Sequence, residues 1–256
     1  MDKRICIVSS KRSRNVEKIQ KIVGECVWYV GYGEKQSYED AGALNVIESG
    51  KLMQSRNAAL DDSFKEGKIC IQVSDDLGKI YIVPRDGKRF KHSDTREISF
   101  SESCEYIIKS LDETNLKLAG VSPTDNPYFY CGTEFKTTKF IVGDFIVVKP
   151  CDLRFDENLR LKEDYDYTLQ HIKKYGGALR CERILPLFAH RENAGGAVDY
   201  RNEEREQEAI KYLLEKWGEV LVKNTKKGRP NEILFSRKND VWQRFLASCQ
   251  NSESQA

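Results

Sequence analysis

The sequence predicts an α/β fold, a Rossmann-like and mostly parallel central sheet flanked by helices. Three observations carry this expectation. Short apolar runs alternate with amphipathic stretches through the first three-quarters of the chain. One of those runs, ICIQV, stops abruptly at Asp75 and Asp76, as strands of this class do where ligands bind. The 256 residues, 39% of them hydrophobic, suffice for one large core, and no linker divides them.

Strands are expected at 4–8 (RICIV), 27–31 (VWYVG), 69–73 (ICIQV), 79–83 (KIYIV), 116–121 (LKLAGV) and 139–148 (KFIVGDFIVV). Between them, Val16, Ile19, Ile22 and Val23 fall on one helical face, as do Cys104, Ile107, Ile108 and Leu111. The stretch LMQSRNAALDDSFKEGK predicts a helix with Arg56 and Asn57 in its first turn, leading into the strand that ends at Asp75. Farther on, Leu161, Tyr165, Leu169 and Ile172 recur at helical spacing, as do Ala209, Ile210, Leu213, Leu214 and Trp217. These two helices are expected to stop near Gly176 and Gly218, because glycine accepts the left-handed cap conformation. A basic loop, KNTKKGRPN (223–231), precedes a terminal helix over 238–249 and a polar tail, 251–256, expected to be disordered.

Composition narrows the function. Lys and Arg number 42 against 40 Asp and Glu, so no global field selects a polyanion, and any nucleic-acid contact must come from a local patch. The eight cysteines are spread singly, without a C-x-x-C pair, and several sit inside apolar runs as small hydrophobes. Reduced thiols and a cytoplasmic location are expected. No run has the length needed to span a bilayer, and the N-terminal apolar stretch is too short for a signal peptide, so no membrane role is expected.

Five places carry candidate chemistry. Asp75 and Asp76, delivered by a strand and followed by Gly78, can hold a hard divalent cation beside a diphosphate; the same pattern also reads as a turn or a helix cap. Ser9, Ser10, Lys11 and Arg12 leave the first strand at the same end, ahead of a helix N-terminus that favours anions, although the glycine-rich phosphate-loop pattern is missing. Arg56 and Asn57 can contact phosphates or a base, or form a surface cap. Glu163, Asp164 and Asp166 crowd the start of a helix, where the dipole alone favours acids. Beyond them an apolar strand ends in His190, followed by Asn193 and the pair Gly195-Gly196; the imidazole suits a transition metal or a structural role.

In this order, S-x-K-R, S-R-N-A-A-L, D-D, E-D-Y-D and H with N-x-G-G resemble the parts of a GT-A glycosyltransferase over roughly residues 4–217. The wording SRNAALD, VSDDLG, GVSPTDNPYF, KEDYDYT and NAGGAVDYR is similar to the TET-associated glycosyltransferases, a phage-rich family linked to hydroxymethylated DNA bases. The resemblance implies one GT-A domain over 1–250, with a nucleotide-sugar half near 1–115 and an acceptor half near 116–250. It implies a UDP-sugar donor, manganese or magnesium on Asp76 with Asp75 and His190, and Asp164 as the acceptor-side base with Asp166 in reserve. Ser9, Lys11, Arg12, Arg56, Asn57 and Asp75 would hold the donor. Ser74 stands where the family's D-x-D pattern has its first aspartate, which leaves the ribose contact open. The acceptor it implies is 5-hydroxymethylcytosine in phage DNA in the host cytoplasm, with Lys223, Lys226, Lys227 and Arg229 on phosphates; on its residues alone, the same segment reads as a solvated loop. The same chemistry on a protein, glycan or small molecule, a non-catalytic module of this fold, and a nucleotidyltransferase remain the rivals.

Overall fold

Alternation within the strands builds the sheet. In β1 (Lys3–Val8) Cys6 and Ile7 are both buried but belong to opposite faces, and in β4 (Ile69–Ser74) Ile69, Ile71 and Val73 share one face while Cys70 takes the other. Strands buried on both faces are those of a sheet covered by two helical layers. The computed structural model describes residues 2–189 and 200–253.

β1, β2 (Val27–Val30), β3 (Val46–Glu48) and β4 run parallel in the order β3-β2-β1-β4. They are linked through α1 (Val16–Val23), α2 (Lys35–Asp40) and α3 (Leu52–Lys65). The chain therefore winds outward from β1 to β3 and then returns to lay β4 on the other side of β1. In open α/β sheets such a reversal of strand order marks the place, at the carboxyl ends of the strands, where ligands bind.

Only Asp75 and Asp76 separate β4 from β5 (Leu77–Ile82), yet β5 leaves the large sheet. It pairs antiparallel with β6 (Arg96–Ile98) and with β11 (Ile184–Phe188) in a three-stranded sheet of order β11-β5-β6. After α4 (Phe100–Asp112), capped by the reciprocal Ser99–Glu102 bonds, the chain adds β7 (Leu118–Val121), β8 (Phe135–Lys136) and β9 (Phe145–Val148). α5 (Glu163–Tyr175) and β10 (Leu179–Cys181) complete an eight-stranded sheet of order β3-β2-β1-β4-β9-β7-β10-β8. β9 runs antiparallel to both β4 and β7, and β8 antiparallel to β10; the other six strands share one direction.

One face packs on α1 and α4 through Ile19, Val23, Cys104, Ile107 and Leu111; the other packs on α3 and α5 through Ala59, Leu60, Leu169 and Ile172. α6 (Glu203–Trp217), the hairpin β12 (Leu221–Lys223) and β13 (Ile233–Phe235), and α7 (Asn239–Glu253) extend the second layer. α5 ends at Gly176 (φ +77°) and α6 at Gly218 (φ +59°), both at the expected glycines. Cys6, Cys26, Cys70, Cys104 and Cys181 are free and buried, as their apolar surroundings require.

Four expectations are corrected. The strand expected over 139–148 begins only at Phe145, because Gly143 and Asp144 turn the chain at the sheet end. Arg56 and Asn57 fall in the second turn of α3, which starts at Leu52. The short strands β3, β6, β8, β10, β12 and β13 were not expected; each has two or three residues. Asn251, Ser252 and Glu253 continue α7 instead of belonging to a disordered tail. No helix among the described residues is long and apolar enough to cross a membrane.

Candidate functional site

The register between β1 and β4 pairs Val8 with Ser74, so the next residues, Ser9 and Asp75, meet at the carboxyl ends of the two strands. Ser9 Oγ donates to Asp75 Oδ2, and Arg12 Nη1 lies 2.9 Å from Asp75 Oδ1. Tyr38 steadies the same turn: its hydroxyl is 2.6 Å from Ser9 Oγ and accepts the Arg12 N–H at 3.1 Å. Asp75 is 1% exposed, and burial raises its pKa against the lowering effects of Ser9 and Arg12, while the Asp76 charge raises it further. Asp76 is also buried; Ser74 Oγ donates to its Oδ1 at 2.7 Å, and its carbonyl accepts the Ala189 N–H at 3.2 Å. Ser74, which replaces the expected first aspartate, thus orients the last one.

The loop after β1 is held in an uncommon shape. Lys11 has φ +57°, a left-handed conformation costing a non-glycine residue roughly 1–2 kcal/mol. Glu34 holds it there by accepting Ser10 Oγ–H at 2.7 Å and the Lys11 N–H at 2.8 Å. Gly31 lets that carboxylate approach, since a Cβ on residue 31 would lie 2.6 Å from Glu34 Oε1. Beside it, at the carboxyl end of β2, Tyr32 is 74% exposed. Sequence reading missed Tyr32; its signal was an aromatic ring between two glycines at a strand end.

Arg56 and Asn57 are spent inside the protein. The Arg56 guanidinium donates to Gln72 Oε1 (3.1 Å) and the Gly143 carbonyl (3.0 Å) and pairs with Glu163 Oε1 (3.2 Å). Asn57 Nδ2 donates to the Phe155 carbonyl at 3.0 Å, and its Oδ1 accepts the Phe155 N–H at 2.8 Å. Both are buried and bolt α3 to β4 and to the approach to α5.

The acidic start of α5 separates by helical geometry. Residues two apart on a helix point to nearly opposite sides. Asp166 is wholly buried and accepts Trp217 Nε1 (2.7 Å), Lys216 Nζ (2.8 Å) and Gln170 Nε2 (2.6 Å), which makes it the polar anchor of α5 on α6. Asp164 turns the other way and accepts the Gly143 N–H at 3.2 Å. Burial, then the charges of Glu163 and Asp144, push its pKa up to about 7 against the Gly143 N–H and Arg56. A Cβ on residue 143 would sit 2.7 Å from Arg56 Nη2 and 3.4 Å from Asp164 Cβ, so glycine lets the guanidinium lie close against this turn.

Gly143 and Asp144 join the two acidic clusters. The Asp144 carbonyl accepts the Ser74 N–H at 2.8 Å, so the turn bonded to Asp164 is also bonded to the strand end that carries Asp75 and Asp76. A cleft of about 140 Å³ opens beside Asp144, walled by Ser122–Asp125 after β7 and by Pro186–Phe188 of β11. The segment GVSPTDNPYF held this wall in plain sight, but nothing in its local pattern assigns it a role.

His190, Asn193, Gly195 and Gly196 lie outside the described residues. Among the described residues no group of three or more His, Cys, Asp and Glu side chains gathers as a metal site. The basic loop 223–231 spans the tip of the β12–β13 hairpin, where Arg229 pairs with Glu232 at 3.1 Å. No protein-family model matches the chain, and no curated protein matches it significantly.

Proposed function

We propose that the chain is a metal-dependent glycosyltransferase that moves a sugar from a nucleotide-sugar, a UDP-sugar in the first instance, to a hydroxyl acceptor. The observation that carries this reading is a buried Asp75–Asp76 pair at the carboxyl end of β4, joined through the Gly143–Asp144 turn to Asp164, whose pKa is pushed up by burial to about 7. A general base works best when its pKa lies near the working pH.

The two adjacent carboxylates offer hard oxygen donors of like charge, which fits manganese or magnesium. Asp76 would be the principal ligand, with His190 as the third; Asp75, already bonded to Ser9 and Arg12, would hold the ligand set in place. When bound, the ion supplies Lewis-acid stabilisation of the departing diphosphate. Lys11 and Arg12 share that negative charge from the loop after β1. The exposed Tyr32 ring is placed to stack a nucleobase at the end of β2. Asp164 takes the acceptor hydroxyl proton as the anomeric carbon is attacked.

The first acceptor to test is 5-hydroxymethylcytosine in DNA, on the resemblance of the motifs to the TET-associated glycosyltransferases; a protein, glycan or small-molecule hydroxyl comes next. Transfer of labelled sugar from UDP-sugars with manganese to hydroxymethylated against unmodified DNA tests donor and acceptor together. Asp76→Ala should abolish metal-dependent UDP release, and full activity in that variant would remove the metal proposal. Metal-independent binding of UDP-sugar without any turnover would favour a non-catalytic module of the same fold.

A further inference from the structure

The segment that runs from β5 into β6, PRDGKRFKHSDTR (84–96), carries five basic residues against two acidic ones. It is built rather than slack. The Arg89 N–H donates to the Tyr130 carbonyl at 2.9 Å, the Tyr130 hydroxyl donates to the Arg85 carbonyl at 3.2 Å, and Phe90 stacks on Tyr130 at 5.9 Å. These contacts fix the segment against the turn after β7. In that turn the Asn126 side chain accepts the Tyr128 N–H at 3.0 Å, and Tyr128 and Phe129 stand edge to face at 6.1 Å, 56% and 65% exposed.

Two large rings left in water beside one another mark an interaction surface. Their neighbours decide its chemistry. Arg89 lies over the Tyr128 ring at 5.9 Å, and Lys88 and Lys91 are exposed with no acidic side chain paired to them among the described residues. Rings alone would suit a sugar face or an apolar partner, whereas rings interleaved with cations suit bases and phosphates together. A duplex hides its base faces, so the match is to a single strand.

We propose that Lys88, Arg89, Lys91, Tyr128 and Phe129 form a platform for single-stranded nucleic acid that leads an acceptor strand into the cleft beside Asp144. The role of that strand as an acceptor rests on the transferase reading. Asp125 lines the cleft and precedes Tyr128 by three residues, which limits their separation to about 10 Å. A base next to one stacked on the platform is therefore within reach of the cleft.

Fluorescence anisotropy of the full chain with a fluorescein-labelled oligothymidylate of about sixteen nucleotides tests this without any donor. Wild type should bind, and its affinity should fall between about 50 and 200 mM salt. Lys88→Gln with Lys91→Gln should reduce the salt slope by about 1.4, from two lost phosphate contacts at about 0.7 each. Tyr128→Ala with Phe129→Ala should weaken binding by about tenfold or more at every salt concentration and leave the slope in place. All four side chains are exposed, and circular dichroism verifies that each variant is folded. Absence of binding by wild type, unchanged binding in both variants, or salt-insensitive displacement by a neutral maltooligosaccharide would each overturn the proposal. Metal-dependent UDP release measured on the same samples separates this failure from failure of the transferase reading.

Discussion

Asp164→Asn should stabilise the protein at alkaline pH while ending the proposed sugar transfer. In an unfolded chain this carboxyl ionises at 3.8; in the fold it keeps its proton up to about 7. The folded state holds the proton more tightly, so stability is complete below about 3.8, falls as pH rises, and levels off above about 7. At 1.36 kcal/mol per pKa unit, the ionised Asp164 costs the fold about 4 kcal/mol at pH 8. Asparagine cannot ionise, and its amide oxygen still accepts the Gly143 N–H that Asp164 takes at 3.2 Å. Urea denaturation at about pH 4 and about pH 8 reads the difference directly. The two proteins should match at the acid end, and the variant should exceed wild type by about 2–4 kcal/mol at the alkaline end, with the same dependence on urea. Equal stabilities at both pH values would refute the argument that Asp164 is a strained base. Transfer should rise in wild type as pH passes through about 7 and should fall by roughly 10²–10⁴-fold in the variant.

His171 is wholly buried against Tyr167 at 4.7 Å, neither ring nitrogen has a hydrogen-bond partner among the described residues, and burial holds its pKa down to about 3. The unfolded imidazole takes a proton below about 6.5, so stability is complete above that pH and is lost as pH falls towards about 3; thermal melts of His171→Phe should show a flatter acid side than wild type. Asp166→Ala strips Trp217 Nε1 and Lys216 Nζ of a buried acceptor and should cost about 2–4 kcal/mol in urea unfolding, while kcat of the folded fraction stays at the wild-type value.

The parts of the fold fixed by local pattern were legible in the sequence. The apolar runs marked β1, β2, β4, β5 and β7, and the helical stripes marked α1, α4, α5 and α6, because each element buries a face whose period shows in the residues. The insertion of antiparallel β9 between β4 and β7 was not legible, since strand order depends on pairings between segments far apart in the chain. The same limit applies within the site. The internal partners of Arg56 and Asn57 were not legible either, since Gly143 lies at 87 residues' separation and Phe155 at 98. Asp164 and Asp166 were equivalent as letters, and only the packing of α6 on one side of α5 gave them different environments.

The two-residue link between β4 and β5 has a mechanical consequence. Each neighbour of the Asp75–Asp76 pair belongs to a different sheet, so a shift of one sheet against the other moves the backbone that carries both carboxylates. The small sheet also carries Pro186–Phe188, the far wall of the cleft. Its tilt therefore bears on both the position of the acids and the width of the opening, and substitutions at Ile80 or Leu185, both buried in that sheet, would act on the site as a change of gauge.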